Sequence, residues 1–276
     1  YAQAFAWGPD AVIITSENAY HRRLVEMAAE AGATILCEKP LATTLTDAQA
    51  IVEAVNDAGV RLMMAHPARF SPAVTQLKHH IDSGALGEVL GFVGTNNGQL
   101  PTDQRAWFTD PDLAGGGAIV DHVVHCTDII DHLISQEPRQ VYAQANTILH
   151  ADRGLEVETG GMVTITYPNG VIASVDYSWS YPDEAPTWGE LSLEVVGTKG
   201  RMTIAPFDPH VGGFHRQGYQ FLPVGDNLDL LMLEEFLTMA RTNRHPQPDV
   251  GLGWRMFRIV DAAQNSAHTH SPITID

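Results

Sequence analysis

The chain opens with short apolar runs that alternate with stretches of helical spacing. Val12, Ile13 and Ile14 form a run ending at Thr15 and Ser16, after which Leu24, Met27, Ala28 and Ala31 recur at helical spacing until Gly32. The motif then repeats. Residues 34–37 read as a second strand, and Thr46 as the N-cap of a helix that carries Ala48, Ile51, Val52 and Val55 and stops at Gly59. Val60 to Ala65 reads as a third strand, and Ser71-Pro72 opens a helix with Val74, Leu77 and Ile81 on one stripe, closed by Gly84. Strand and helix in strict alternation predict a parallel sheet with crossover helices.

The texture changes near Gly87. Residues 161–166 and 171–179 read as strands around the turn Pro168-Asn169-Gly170, and Leu191 to Val196 and Arg201 to Ile204 read as strands around Gly197-Thr198-Lys199-Gly200. A helix beginning near Gly117 has Ile119, Val123, Ile130 and Leu133 as its apolar side. Two late helices, Leu228 to Arg241 and Trp254 to Ala267, precede a closing strand, Ile273 to Ile275. The expected fold class is therefore an α/β domain over residues 1–86, followed by a mostly antiparallel α+β domain over 87–276. Val175, Tyr177 and Trp179 share one side of a strand, and that face is expected to be covered by a second subunit.

Length and composition bound the function. At 276 residues and 44% hydrophobic, the chain can bury two modest cores. A formal charge of -17 and a pI near 5.0 argue against nucleic acid or an anionic membrane as partner, because a polyanion repels such a surface. Small molecules are the expected ligands. Cys37 and Cys126 lie inside apolar patterns rather than in disulfide or metal spacing, and no stretch approaches membrane-spanning length or a secretory signal. The expectation is a soluble cytoplasmic protein with buried free thiols.

Two places carry chemistry. Glu38-Lys39-Pro40 follows the second strand directly, which puts an ammonium at the carboxyl edge of a parallel sheet, where open α/β folds bind ligands. Lys39 is one of only three lysines, so a compact charge with a tunable pKa is placed where arginine is otherwise the rule. Asp121 and His125 stand four apart on a helix, within reach of a shared hydrogen bond that would charge or orient the imidazole. The stripe continues to Asp128 and His132, so a solvated polar face competes with a catalytic reading. A shared metal ion has no third ligand at a fixed spacing, and none is expected. Gly115-Gly116-Gly117 before this helix allows close backbone approach and frees N–H groups at a positive helix end.

Taken together, Glu38-Lys39-Pro40, the run HPARFSP from His66 to Pro72, and GGGAIVDHVVH from Gly115 to His125 resemble the glucose-fructose oxidoreductase, inositol dehydrogenase and MocA family. Asn18 and His21 match the Asn-x-x-His of that family. The resemblance implies a Rossmann-type domain over 1–86 and a substrate-binding and oligomerisation domain over 87–276. It implies an NAD- or NADP-dependent oxidoreductase acting on a secondary alcohol of a sugar, polyol or inositol, assembled as a homodimer or homotetramer. Lys39, Asp121 and His125 would be catalytic, and Thr15, Ser16, Asn18, His21, Glu38 and Lys39 would face the cofactor. A glycine-rich turn after a first strand, where the family rests the pyrophosphate, does not occur in these residues. A segment ahead of Tyr1 is expected to supply it. The competing readings are a sugar-binding homologue without the cofactor site and a cofactor-dependent glycoside-cleaving enzyme.

Overall fold

The computed structural model describes residues 1–103, 105–216, 218–242 and 244–275. A short helix, α1 (Ala2–Phe5), precedes three parallel strands, β1 (Ala11–Ile14), β2 (Thr34–Glu38) and β3 (Leu62–Ala65), in the order β1-β2-β3. The crossovers are α2 (His21–Glu30) and α3 (Leu45–Ala58), and α4 (Pro72–Asp82) follows. β2 is apolar from Ile35 to Cys37 because both its faces are covered. Ile35 and Cys37 pack with Leu24, Val25, Ile51 and Phe257 on one side, while Leu36 packs with Met63, Phe236 and Met239 on the other. The cap of α3 is Thr44 rather than the expected Thr46: its hydroxyl accepts from the Asp47 amide at 3.1 Å, two residues earlier than hydrophobic spacing suggested.

The second sheet has seven strands. They are β4 (Val89–Gln99), β5 (Gln140–Asn146), β6 (Gly160–Thr166), β7 (Ile172–Tyr181), β8 (Gly189–Gly197), β9 (Gly200–Ile204) and, after a separate hairpin of β10 (His210–His215) and β11 (Gly218–Pro223), β12 (Ile273–Thr274). Their order is β12-β5-β6-β7-β4-β8-β9, antiparallel throughout except where β4 and β7 run parallel. Helices α5 (Pro111–Ala114) and α6 (Val124–Ile134) lie between β4 and β5, and α7 (Leu228–Thr242) and α8 (Val250–Thr269) lie between β11 and β12. No described helix is long and apolar enough to cross a membrane.

One expectation is corrected here. Val175, Tyr177 and Trp179 do not face a second subunit: each is fully buried, packed with Val123, Ile130, Ile259 and Ala263 between the sheet and α6 and α8. The helices cover that face, and its alternate, with Val93, Met162 and Ile172, is the exposed one. Met232, Phe236 and Met239 of α7 cover the open face of the parallel sheet, and Phe257 of α8 enters its other core, so the C-terminal helices tie the two sheets together.

Candidate active site

A cleft of about 720 Å³ opens at the carboxyl ends of β1 and β2. Thr15, Ser16, Asn18, Glu38, Lys39, Asp121 and His125 line it, together with Arg105, Trp107, Trp188 and Asp229. Strand ends from one sheet and a helix packed on the other thus converge on one space, where open α/β folds take their ligands.

The Lys39 ammonium donates to Asp121 Oδ1 at 2.7 Å and to the Asp121 main-chain carbonyl at 2.9 Å. The second carboxylate oxygen, Oδ2, accepts from the Trp179 indole at 3.1 Å. Burial by itself would raise the Asp121 carboxyl, but the Lys39 charge and these hydrogen bonds outweigh it and hold the group well below the usual carboxylate range. Asp121 is therefore an ionised, fully engaged anchor. The spacing of four suggested instead that it would bond His125, but residues 119–123 form a wider π turn ahead of α6, and both Asp121 oxygens are turned to Lys39 and Trp179.

His125 lines the cleft, and its Nδ1 is buried without a hydrogen-bond partner. Burial, then the positive charge of Lys39 and the neighbouring His66, push its pKa well below the ordinary imidazole value. At neutral pH it is an uncharged base beside an ammonium. His122 is also fully buried; desolvation brings it to about 4, so its 3.6 Å approach to Asp121 is not an ion pair near neutrality. Its Nδ1 pairs with Asn96 Oδ1 at 3.1 Å.

The loop before this helix is built by close backbone approach. Gly115 has φ 83, and a Cβ on Gly117 would stand 2.1 Å from the Glu158 carbonyl. The N–H groups freed there do not await a ligand: those of Gly117 and Ile119 bond the Glu158 carboxylate at 3.1 and 2.9 Å. On the facing side, Asn18 donates to the Ala114 carbonyl at 2.9 Å while still lining the cleft.

His21, expected to touch cofactor, does not reach the cleft. It is fully buried, and its Nδ1 bonds the Pro40 carbonyl at 2.8 Å, so it fixes the Glu38-Lys39-Pro40 loop from beneath. Arg69 is likewise buried, with Nε and Nη2 on Asp128 Oδ1 at 3.0 and 2.6 Å. The stripe continuing from His125 to Asp128 is thus not a solvated face but a buried ionic contact. Trp179, Glu158 and His66 were missed as site residues; the sheet register that brings Trp179 under Asp121 links positions 58 apart.

Residues 3–66 match a family model described as an oxidoreductase family with an NAD-binding Rossmann fold, and residues 74–203 match the GFO/IDH/MocA C-terminal domain. The chain is 32% identical over 193 residues to 1,5-anhydro-D-fructose reductase of Ensifer adhaerens, covering 70% of this chain and 56% of that protein. It is 28% identical over 196 residues to 2,7-anhydro-N-acetylneuraminate hydratase of Escherichia coli K12, covering 71% and 51%. It thus spans little more than half the length of either relative. The crystal structure of aldose-aldose oxidoreductase from Caulobacter crescentus, complexed with glycerol, shares the fold at a TM-score of 0.81 and 25% identity, covering 96% of this chain and 79% of that one. With both family models in sequence order along one chain, and the same two-sheet fold in the solved relative, the chain belongs to the GFO/IDH/MocA oxidoreductase family.

Proposed function

We propose that the protein is an NAD- or NADP-dependent oxidoreductase that acts on a secondary alcohol of a sugar, polyol or inositol. The observation that carries this reading is the pairing, in one cleft, of an uncharged His125 with the Lys39 ammonium anchored on Asp121. Thr15, Ser16, Asn18, Glu38 and Lys39 line the cleft at the strand ends and would hold the nicotinamide and its ribose, and Arg105, Trp107 and Asp229 line the remaining space. When bound, the nicotinamide exchanges a hydride with the substrate carbon. The residues of the chain do the rest. His125 takes the hydroxyl proton, and Lys39, held by two bonds to Asp121, stabilises the negative charge growing on that oxygen. Residues 1–86 form the nucleotide side of the cleft and 87–276 supply its substrate side, with α7 returning Asp229 to the rim.

A panel of aldoses, anhydrosugars and inositols with each nicotinamide cofactor tests the proposal. Stoichiometric change of nicotinamide absorbance with product supports it, and binding without turnover of any member refutes it in favour of a sugar-binding homologue. A second reading is net cleavage or hydration through transient redox. Similarity to a protein named as an anhydro-sugar hydratase favours keeping it in the assay; product formation with no net absorbance change would select it.

A further inference from the structure

His125, Asp128 and His132 form one line along α6, which follows the π turn that holds Asp121, and only its beginning is used by the mechanism above. Beyond the catalytic cleft the line runs into a group of buried polar atoms with no hydrogen-bond partner: His125 Nδ1, His66 Nδ1 and Asp128 Oδ2. His66 stands at the end of β3, fully buried, with its ring edge-on to His125 at a centroid distance of 6.3 Å. The charges acting on it are, in order, Asp128, Arg69, Lys39 and Asp131. Asp128 gives Oδ1 to Arg69 and keeps Oδ2 open. One helical turn further, His132 lines a second cleft of about 280 Å³ with Arg69, Asp131 and Arg255. Seven residues separate it from His125, about 10 Å along the axis at the rise of an α-helix.

Buried polar atoms are almost always paired, so three orphans on His125, His66 and Asp128 need a reason. The catalytic imidazole faces a second need. Its cleft is where substrate and nicotinamide must lie, and once they fill it His125 has no water on that side to exchange a proton with. We propose that His66, Asp128 and His132 form a proton path that connects His125 with solvent in the second cleft. This rests on the oxidoreductase reading. In the oxidative direction the alcohol O–H bond breaks and its proton bonds His125, while the C–H electron pair leaves with the hydride. The proton then passes to His66, on to Asp128 Oδ2 and His132, and to water, with bridging waters spanning the gaps; reduction runs the path in reverse. Arg69 holds the Asp128 carboxylate by Oδ1 and leaves Oδ2 without a partner.

His66→Gln and His132→Gln keep size and polarity but cannot carry a proton. In single turnovers with a substrate that the parent oxidises, His66→Gln should slow nicotinamide reduction about ten-fold or more and enlarge the solvent deuterium isotope effect, with KM close to parental. Imidazole in the buffer should restore part of the rate. His132→Gln, half-exposed and safe for folding, should show the same signs in weaker form. Separately, in protein without ligands, nitrogen NMR of the imidazole rings should show the His125 signals moving on His66→Gln. Parental rate and isotope effect in both folded variants would overturn the path, as would His125 signals indifferent to His66. A parent protein that performs no redox chemistry would instead sink the function proposed above, and the NMR result would still decide whether the rings are linked.

Discussion

Lys39 and Asp121, 82 residues apart, meet across the cleft at 2.7 Å and join the strand end of one sheet to the helix of the other. The side chain of Asp121 is 4% exposed and that of Lys39 is 14% exposed, so the pair sits where water screens little and each partner fixes the state of the other. The ammonium therefore arrives in the cleft oriented, with a free direction toward a substrate oxygen.

Lys39→Ala removes both the electrostatic partner of the reacting oxygen and the counter-charge of Asp121. Turnover should fall about 10²–10³-fold, the usual effect of deleting one donor to a developing oxyanion. Stability should fall too, toward the lower end of the roughly 3–5 kcal/mol seen when one member of a buried pair is deleted, since the cleft admits water to Asp121. The double variant Lys39→Ala with Asp121→Asn separates the effects: thermal melting should recover while kcat does not. Recovery of both would make Lys39 structural.

His125→Ala should cost about 10²–10⁴-fold in kcat, the range for a general acid or base, with melting little changed because the ring lies at a cleft wall. Since its pKa lies well below the ordinary imidazole value, the acid limb of kcat/KM should fall well below pH 6.5 in the parent. A limb at the ordinary value would exclude His125 as the titrating base.

Much of this was legible before the structure. The alternation of apolar runs and helical stripes located the parallel sheet, and Lys39, Asp121 and His125 all line the cleft. What the sequence hid were contacts that depend on register. β4 is an interior strand of the large sheet, between β7 and β8, yet Gly91, Gly94, Asn96, Asn97 and Gly98 give it no strand pattern. The reason is crowding: a Cβ on Gly94 would meet Cys126 Sγ at 3.0 Å, and Asn96 is held by the Glu190 carbonyl and His122. The π turn likewise broke the i, i+4 argument that paired Asp121 with His125. The exposure of Arg69 was also unreadable, since its partner Asp128 lies 59 residues away.

Trp179→Phe tests the indole contact. It keeps most of the aromatic packing and removes the donor to Asp121 Oδ2, leaving a buried carboxylate oxygen unsatisfied. The expected loss is about 1–3 kcal/mol in urea unfolding, beyond which kcat should drop because Asp121 no longer holds Lys39 as firmly. A variant with parental stability would show that the indole bond is dispensable.

The outer face of the large sheet should associate. Val93, Met162 and Ile172 are 55%, 58% and 49% exposed on it, while the inner face is fully covered by helices. Apolar groups grouped on an otherwise open sheet face are the usual mark of an interface. A dimer or tetramer is expected by light scattering at micromolar concentration, shifting toward monomer on Met162→Glu. A parent that is already monomeric would refute this.

His122 gives the fold a pH dependence whose sign is fixed by its burial. Its pKa falls to about 4 in the folded chain, whereas the unfolded chain binds that proton near the ordinary value of 6.5. Between these values the unfolded state holds more protons than the folded one, so stability rises with pH and is lost as pH falls from neutrality toward 4. At about 1.4 kcal/mol per unit, this one ring accounts for a loss of about 3 kcal/mol over the full window. Glu38 and Glu158, both raised by burial, act in the opposite sense above the ordinary carboxylate range, so the total slope mixes several groups. Comparing the parent with His122→Gln isolates the ring, because an amide keeps a partner for Asn96 Oδ1 and does not titrate. Urea midpoints measured from pH 7 to 5 should fall more steeply in the parent than in the variant. Parallel profiles would mean that His122 keeps its proton in the folded state, and that its contact with Asp121 is an ion pair after all.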